Sequence, residues 1–223
     1  MSTAERGLTS YTALSAALAP AAREWLEDAA DRVRLVPDDV HVLFPAVGRH
    51  CGRGRLTGNV TVDEAARGVL LASLPLRGGA PAGVLDRLYR HGDTAERCAV
   101  LKALDLPHIG AGLDTAALPL IEDAIRTNDP RLLAAALGGY AAHHLAQPVF
   151  RQAVLKCAFT GVPLSGVAGL EERADGELAR MLAAYAEERA VAGREVPQDV
   201  AHFLATRAAA PRARRSLTTE RRP

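Results

Sequence analysis

Of the 27 basic residues in this 223-residue chain, only Lys102 and Lys156 are lysines; the other 25 are arginines. A guanidinium stays protonated and grips carboxylates or phosphates through a planar fork, whereas an ammonium is a point charge whose pKa moves when it is buried. The two lysines are therefore the first positions at which to seek acid-base chemistry or a pocket cation. Both close one hexapeptide, Arg97-Cys-Ala-Val-Leu-Lys102 and Arg151-Gln-Ala-Val-Leu-Lys156, whose copies agree at five of six positions and lie 54 residues apart. The stretch around Lys156 is apolar almost all round a helical wheel, which predicts a central helix. Two roles stay open for Lys156: a stem packed at a repeat boundary, or a cation at the edge of a groove.

The arginines raise the question of anion binding. The apolar stripe Leu178, Met181, Leu182 and Tyr185 continues four residues on at Arg189. An arginine in that place needs a carboxylate, several carbonyls or an anionic ligand, because an unpaired buried charge is strongly destabilising. Glu188 points away from it, so the partner comes from another element or from a ligand. Arg49-His-Cys-Gly-Arg-Gly-Arg55 sets three arginines around two glycines whose backbone can close on an anion. It lacks the Gly-Lys-Ser/Thr of a P-loop and reads equally as a solvated connection between helices. His143 and His144 are adjacent on a helix and diverge by about 100°, so they do not chelate one metal from one face. No other set has metal-ligand spacing, and no Gly-x-Ser-x-Gly or supported Cys/His pair marks a nucleophile. The sequence thus assigns no catalytic residue, no metal and no cofactor.

The elements that must position these side chains are helices. Thr61-Val-Asp-Glu64 and Asp93-Thr-Ala-Glu96 are capping boxes. Pro81, Pro130, Pro148 and Pro197 stand where a first helical turn tolerates a missing N–H, and Gly92, Gly161 and Gly193 stand where helices stop. These signals predict helices near 10–34 (with a break at Pro20), 39–50, 62–74, 81–91, 94–105, 115–127, 130–145, 148–160, 175–192 and 198–207. No stretch alternates with a two-residue period, so no sheet is expected. The fold class is all-α, either a helical-repeat stack of the HEAT-like, α-solenoid kind or a compact multi-helix bundle. The repeated hexapeptide favours the stack, although its spacing exceeds the roughly 40–47 residues of a HEAT repeat.

With 48% apolar and 24% charged residues, the chain is long enough to bury a core without staples. The cysteines Cys51, Cys98 and Cys157 are too few and scattered for a disulfide framework, which fits a cytoplasmic protein. No apolar run reaches the roughly 18 residues of a membrane span, and the N-terminus lacks the features of a signal peptide. We expect one all-α domain over 1–206 and a disordered, arginine-rich tail over 207–223. That tail carries a net charge of +5 against −4 for the body. Its solvated arginines either have no specific role or make weak electrostatic contact with anionic lipid or nucleic acid; no specific nucleic-acid site is expected.

A set of motifs in fixed order follows in the C-terminal half: Thr127-Asn-Asp-Pro-Arg-Leu132, Tyr140, His144-Leu145, Phe150 through Leu164, Gly169-Leu-Glu-Glu-Arg173, Leu178-Ala-Arg-Met-Leu182, Glu188-Arg189 and Gly193-Arg194. Over about 115–205 this order resembles the EboA-domain family, bacterial helical proteins associated with metabolite traffic. The resemblance implies Lys156, Arg173, Glu188, Arg189 and Arg194, with His144, as binding residues. It further implies a non-catalytic binding or adaptor protein in secondary-metabolite precursor traffic, holding a polar or anionic metabolite or a partner enzyme. Cluster-encoded partners would include a UbiA-type membrane prenyltransferase, which would put the protein in the cytoplasm, peripheral to the inner face of the membrane. The alternative is an enzyme acting on a cyclitol, sugar-phosphate or prenyl-type intermediate, with Lys156 or His144 as acid or base.

Overall fold

The computed structural model describes residues 12–58, 60–75 and 80–216. The chain opens with α1 (residues 12–17), α2 (Pro20–Leu35), a 3-10 turn (Pro37–Asp39) and α3 (Val40–His50). The break expected at Pro20 is present. Proline begins α2, and Arg23 Nη2 donates to the carbonyls of Ser15 (2.7 Å) and Leu18 (3.3 Å) at the end of α1. A small antiparallel hairpin follows, β1 (Arg55–Thr57) and β2 (Val60–Thr61), turning at Gly58 with φ +51°. The sequence reading expected no strand; two or three residues per strand are too few for alternation to register.

Beyond the hairpin the described chain is helical: α4 (Val62–Ala72), α5 (Ala80–His91), α6 (Thr94–Ala103), α7 (Pro107–Gly110), α8 (Leu118–Arg126), α9 (Pro130–Ala136), α10 (Gly139–His144), α11 (Gln147–Thr160), α12 (Leu170–Arg173), α13 (Gly176–Val191) and α14 (Gln198–Ser216). The fold class is all-α. Both capping boxes form. Gly161 ends α11 in the left-handed region at φ +75°. The last helix runs nine residues past the expected 207 into the arginine-rich segment, and the rest of the expected tail, 217–223, lies outside the described residues.

One expected helix, 130–145, is two. Asp105, in the turn after α6, accepts from the Tyr140 backbone N–H at 2.8 Å. A Cβ on Gly138 would come within 2.2 Å of its carboxylate. The approach of this cap from outside ends α9 and starts α10, and glycine is what leaves room for it.

The helices succeed one another in space as well as in sequence. α6 packs against both α4 and α9, α11 against α9, α13 against α11, and α14 against α13. α2 and α3 back α4, α5 backs α6, and α8 backs α9. Their facing residues, among them Phe44, Leu70, Val100, Leu133, Phe150, Val154, Leu178 and Leu182, form one continuous buried core.

The repeated hexapeptide occupies matching roles in this row. In α6, Arg97 reaches forward to Asp123 (2.9 Å) and Lys102 reaches back to Glu64 (2.7 Å). In α11, Arg151 reaches forward to Asp175 (2.5 Å), and Lys156 reaches back to the carbonyls of Ile125 (2.7 Å) and Thr127 (2.6 Å) at the end of α8. Each copy ties its helix to a later element through the arginine and to an earlier one through the lysine.

A fully buried arginine joins the first helices of the row. Arg67 of α4 is 0% exposed; it pairs with Asp63 one turn before it (2.6 Å) and with Glu96 of α6 (3.5 Å), and donates to the Phe44 carbonyl of α3 (3.2 Å). The ring of Phe44 lies 5.4 Å from the guanidinium carbon. Removing the cation would leave two carboxylates buried together. Arg67→Met is therefore expected to cost about 3–5 kcal/mol, a fall in Tm of about 10 °C by thermal circular dichroism, whereas Arg90→Met, at an exposed pair with Asp86, leaves Tm nearly unchanged.

Candidate functional site

Four polar side chains meet where α10, α11, α12 and α13 come together. Asp175 caps α13 by accepting from Leu178 N (3.0 Å) and takes both forks of Arg151 from the first turns of α11. Gln147, at the start of α11, donates to Asp175 (3.2 Å) and to the Arg173 carbonyl (2.7 Å). Arg173 then spends all five of its N–H donors. It gives one each to the carbonyls of Ala141 (3.2 Å), Ala142 (2.9 Å) and Leu145 (2.7 Å), and two to Gln147 Oε1 (3.2 and 2.9 Å). Its guanidinium also lies over the ring of Phe150 at 4.2 Å.

The electrostatics follow from these contacts. The Arg151 fork, then the Leu178 N–H, hold the Asp175 carboxyl well below the usual carboxylate range. Arg173 makes no ion pair among the described residues, and burial pushes its pKa below the ordinary arginine value. Its positive charge is met by carbonyls at the negative end of α10, a favourable place for a cation.

The remaining expected site residues lie elsewhere. Lys156 is committed to the two carbonyls at the end of α8. His144, half-buried at the end of α10, packs against Tyr140 with ring centres 4.5 Å apart and ring planes tilted by 37°. Arg189, half-buried, donates through Nε to the Glu195 carbonyl (2.6 Å) and lies 5.7 Å from the Tyr185 ring centre. The partner sought for it is thus a backbone carbonyl in the loop after its own helix. Glu188 and Arg194 are exposed. No hydrogen bond or ion pair joins the side chains of any two of these five, or any of them to Arg173, among the described residues. What the structure does gather is one exposed end: Phe159 of α11, 60% exposed, packs edge-on against Tyr185 of α13, beyond which lie Glu188, Arg189, Val191 (85% exposed) and Arg194.

Sequence reasoning missed Asp175, Gln147 and Arg151 as one network, and Asp63, Arg67 and Glu96 as another. The order Asp175 then Gly176-Glu-Leu178 carries a capping signal for the first. The second lay inside a capping box whose extra acid, Asp63, stands one turn before Arg67.

The cysteines are poor nucleophiles in this setting. Burial pushes the thiols of Cys98 up to about 11 and Cys157 up to about 12. Cys51 also rises to about 11, chiefly through burial, with Arg67 opposing and Asp63 adding to the rise. Among the described residues no group of three His, Cys, Asp or Glu could hold a metal ion, and no helix is long and apolar enough to cross a membrane.

A family model described as metabolite traffic protein EboA matches residues 47–205. The chain belongs to the EboA family. The match begins well before the motif-rich half, so the EboA unit takes in the Asp63–Arg67–Glu96 cluster as well as the Arg151–Asp175–Gln147–Arg173 network. It leaves out α1, α2, most of α3 and the last part of α14. No curated protein and no solved structure matches the chain.

Two outcomes are expected from this geometry. Asp175 has a lowered pKa in the folded state, so its charge adds stability that is fully present above the unfolded carboxylate value and is lost as pH falls through the folded one. Asp175→Asn keeps a capping side chain but not the charge. Its Tm deficit against the wild type should hold from pH 8 to pH 5 and shrink below about pH 4. In native protein at pH 8, a thiol reagent should leave Cys98 and Cys157 unmodified over hours and react with all three cysteines once the chain is unfolded.

Proposed function

We propose that this EboA-family chain is a non-catalytic binding and adaptor protein in metabolite traffic, a stack of helices that offers a face to a partner enzyme and holds a polar or anionic metabolite. The observation that carries the reading is how its characteristic charges are used. Lys156 and Arg173 hold helix-terminal carbonyls, and Arg151 holds a capping carboxylate; each fastens one helix to another and none is a free acid or base. The exposed members of the motif set, Glu188 and Arg194, stand with Phe159 and Val191 at one end of α11 and α13. An apolar pair beside charges of both signs has the make-up of a protein contact.

The cluster-encoded proteins that the family resemblance brings with it, a UbiA-type membrane prenyltransferase among them, are the partners proposed for this face. In detergent solution the full chain should co-elute with at least one of them. Phe159→Ala/Arg194→Glu should weaken that association at least tenfold while lowering Tm by only about 2–4 °C, the loss of the edge contact between Phe159 and Tyr185. Absence of association with every such protein would overturn the adaptor reading. Turnover of a cyclitol, sugar phosphate or prenyl compound that is abolished by Lys156→Met, with folding kept, would instead establish the enzyme.

A further inference from the structure

The first two helices, which the family match leaves out, border a pocket against α4 of the matched region. α1 and α2 meet at the Leu18–Ala19 turn and, with α4, border a half-open pocket of about 400 Å³, within the usual range of small-molecule sites. Leu14, Leu18, Leu26 and Ala30, all buried, line it with Val69 of α4. Ser15, Arg23, Glu27, Asp31 and Arg34 supply its polar groups.

The charges are unequal in their commitments. Arg34 pairs with Asp31 along the same helix, and Glu27 is exposed to water. Arg23 has no ion pair among the described residues. Its Nη2 is held by the carbonyls of Ser15 and Leu18, and its Nε is buried with no hydrogen-bond partner. A guanidinium fixed by two carbonyls beside an apolar trough is pre-organised for an oxyanion, because its orientation is set before a ligand arrives.

The geometry points to this cavity as a binding site for an amphipathic acid, a small molecule whose carboxylate or phosphate meets Arg23 and whose apolar body lies along Leu14, Leu18, Leu26, Ala30 and Val69. The site deepens the metabolite-traffic reading and rests on it for its purpose, since it would name the chemical class of the cargo. It stands on α2, outside the exposed end of α13 offered to a partner, so cargo and partner would be held by different elements.

Isothermal titration of the full chain with decanoate, decyl phosphate and the neutral analogue decanol tests this. Saturable one-to-one binding is expected for decanoate or decyl phosphate, at least tenfold tighter than for decanol, and whichever acid binds tighter identifies the head group. Arg23→Gln should remove the preference for the acid while decanol binding persists. Ala30→Met, which places a longer side chain in the trough, should weaken all three at least tenfold with Arg23 intact, so the two variants separate the charge from the space. No binding at millimolar concentration, equal affinity for acid and alcohol, or wild-type affinity in Ala30→Met would each overturn the site. Such a result leaves co-elution with a partner standing, and failed co-elution leaves the titration standing.

Discussion

Every α-helix leaves up to four N–H groups and four carbonyls without internal partners at its ends. A chain built from many short helices therefore has much of its backbone in helix ends, and buried ends must be satisfied by something. Here the basic side chains carry much of that task. Arg23 holds the last carbonyls of α1, Lys156 those at the end of α8, Arg173 those of α10, and Arg189 a carbonyl in the loop after α13. A cation at a helix C-terminus is favoured by hydrogen bonding and by the helix dipole together. The starts of α4, α6 and α13 are met by the opposite sign, through Glu64, Asp93 with Glu96, and Asp175.

This use of charge explains how a chain with few aromatic residues holds its row of helices in register. Apolar burial is non-directional and by itself does little to fix the register of one helix on another. The fasteners are directional. Arg151 and Asp175 join the starts of α11 and α13, and Tyr185 donates to the Ala158 carbonyl near their ends (2.8 Å), so the two helices run side by side in the same direction. The Arg67 cluster acts similarly between α3, α4 and α6. The exposed end of α11 and α13 and the trough between α1, α2 and α4 lie apart from the Arg151–Asp175 and Arg67 contacts.

Much of this could be read from the residues in order. Capping boxes, first-turn prolines and terminal glycines are local devices, and they located most helices to within a few residues. The 130–145 segment was misread as one helix because the agent that divides it, Asp105, lies 35 positions before Tyr140. Of the charged positions singled out for binding, Lys156, Arg173 and Arg189 donate to backbone carbonyls. Their employment was hidden, because a carbonyl acceptor has no sequence signature; every residue has one.

The sequence by itself determined the all-α class, the caps, the motif order of the EboA family and the pairing of both lysines with one hexapeptide. These depend on neighbours within a turn or two or on resemblance along the chain. Only the tertiary structure decided what Lys156 and Arg173 hold, that Asp63, Arg67 and Glu96 form one buried cluster, and that Arg23, with no ion pair among the described residues, borders a pocket between α1, α2 and α4. Those facts depend on which distant backbone comes within about 3 Å of a long, flexible basic side chain, and that distance is set by how the whole row of helices packs.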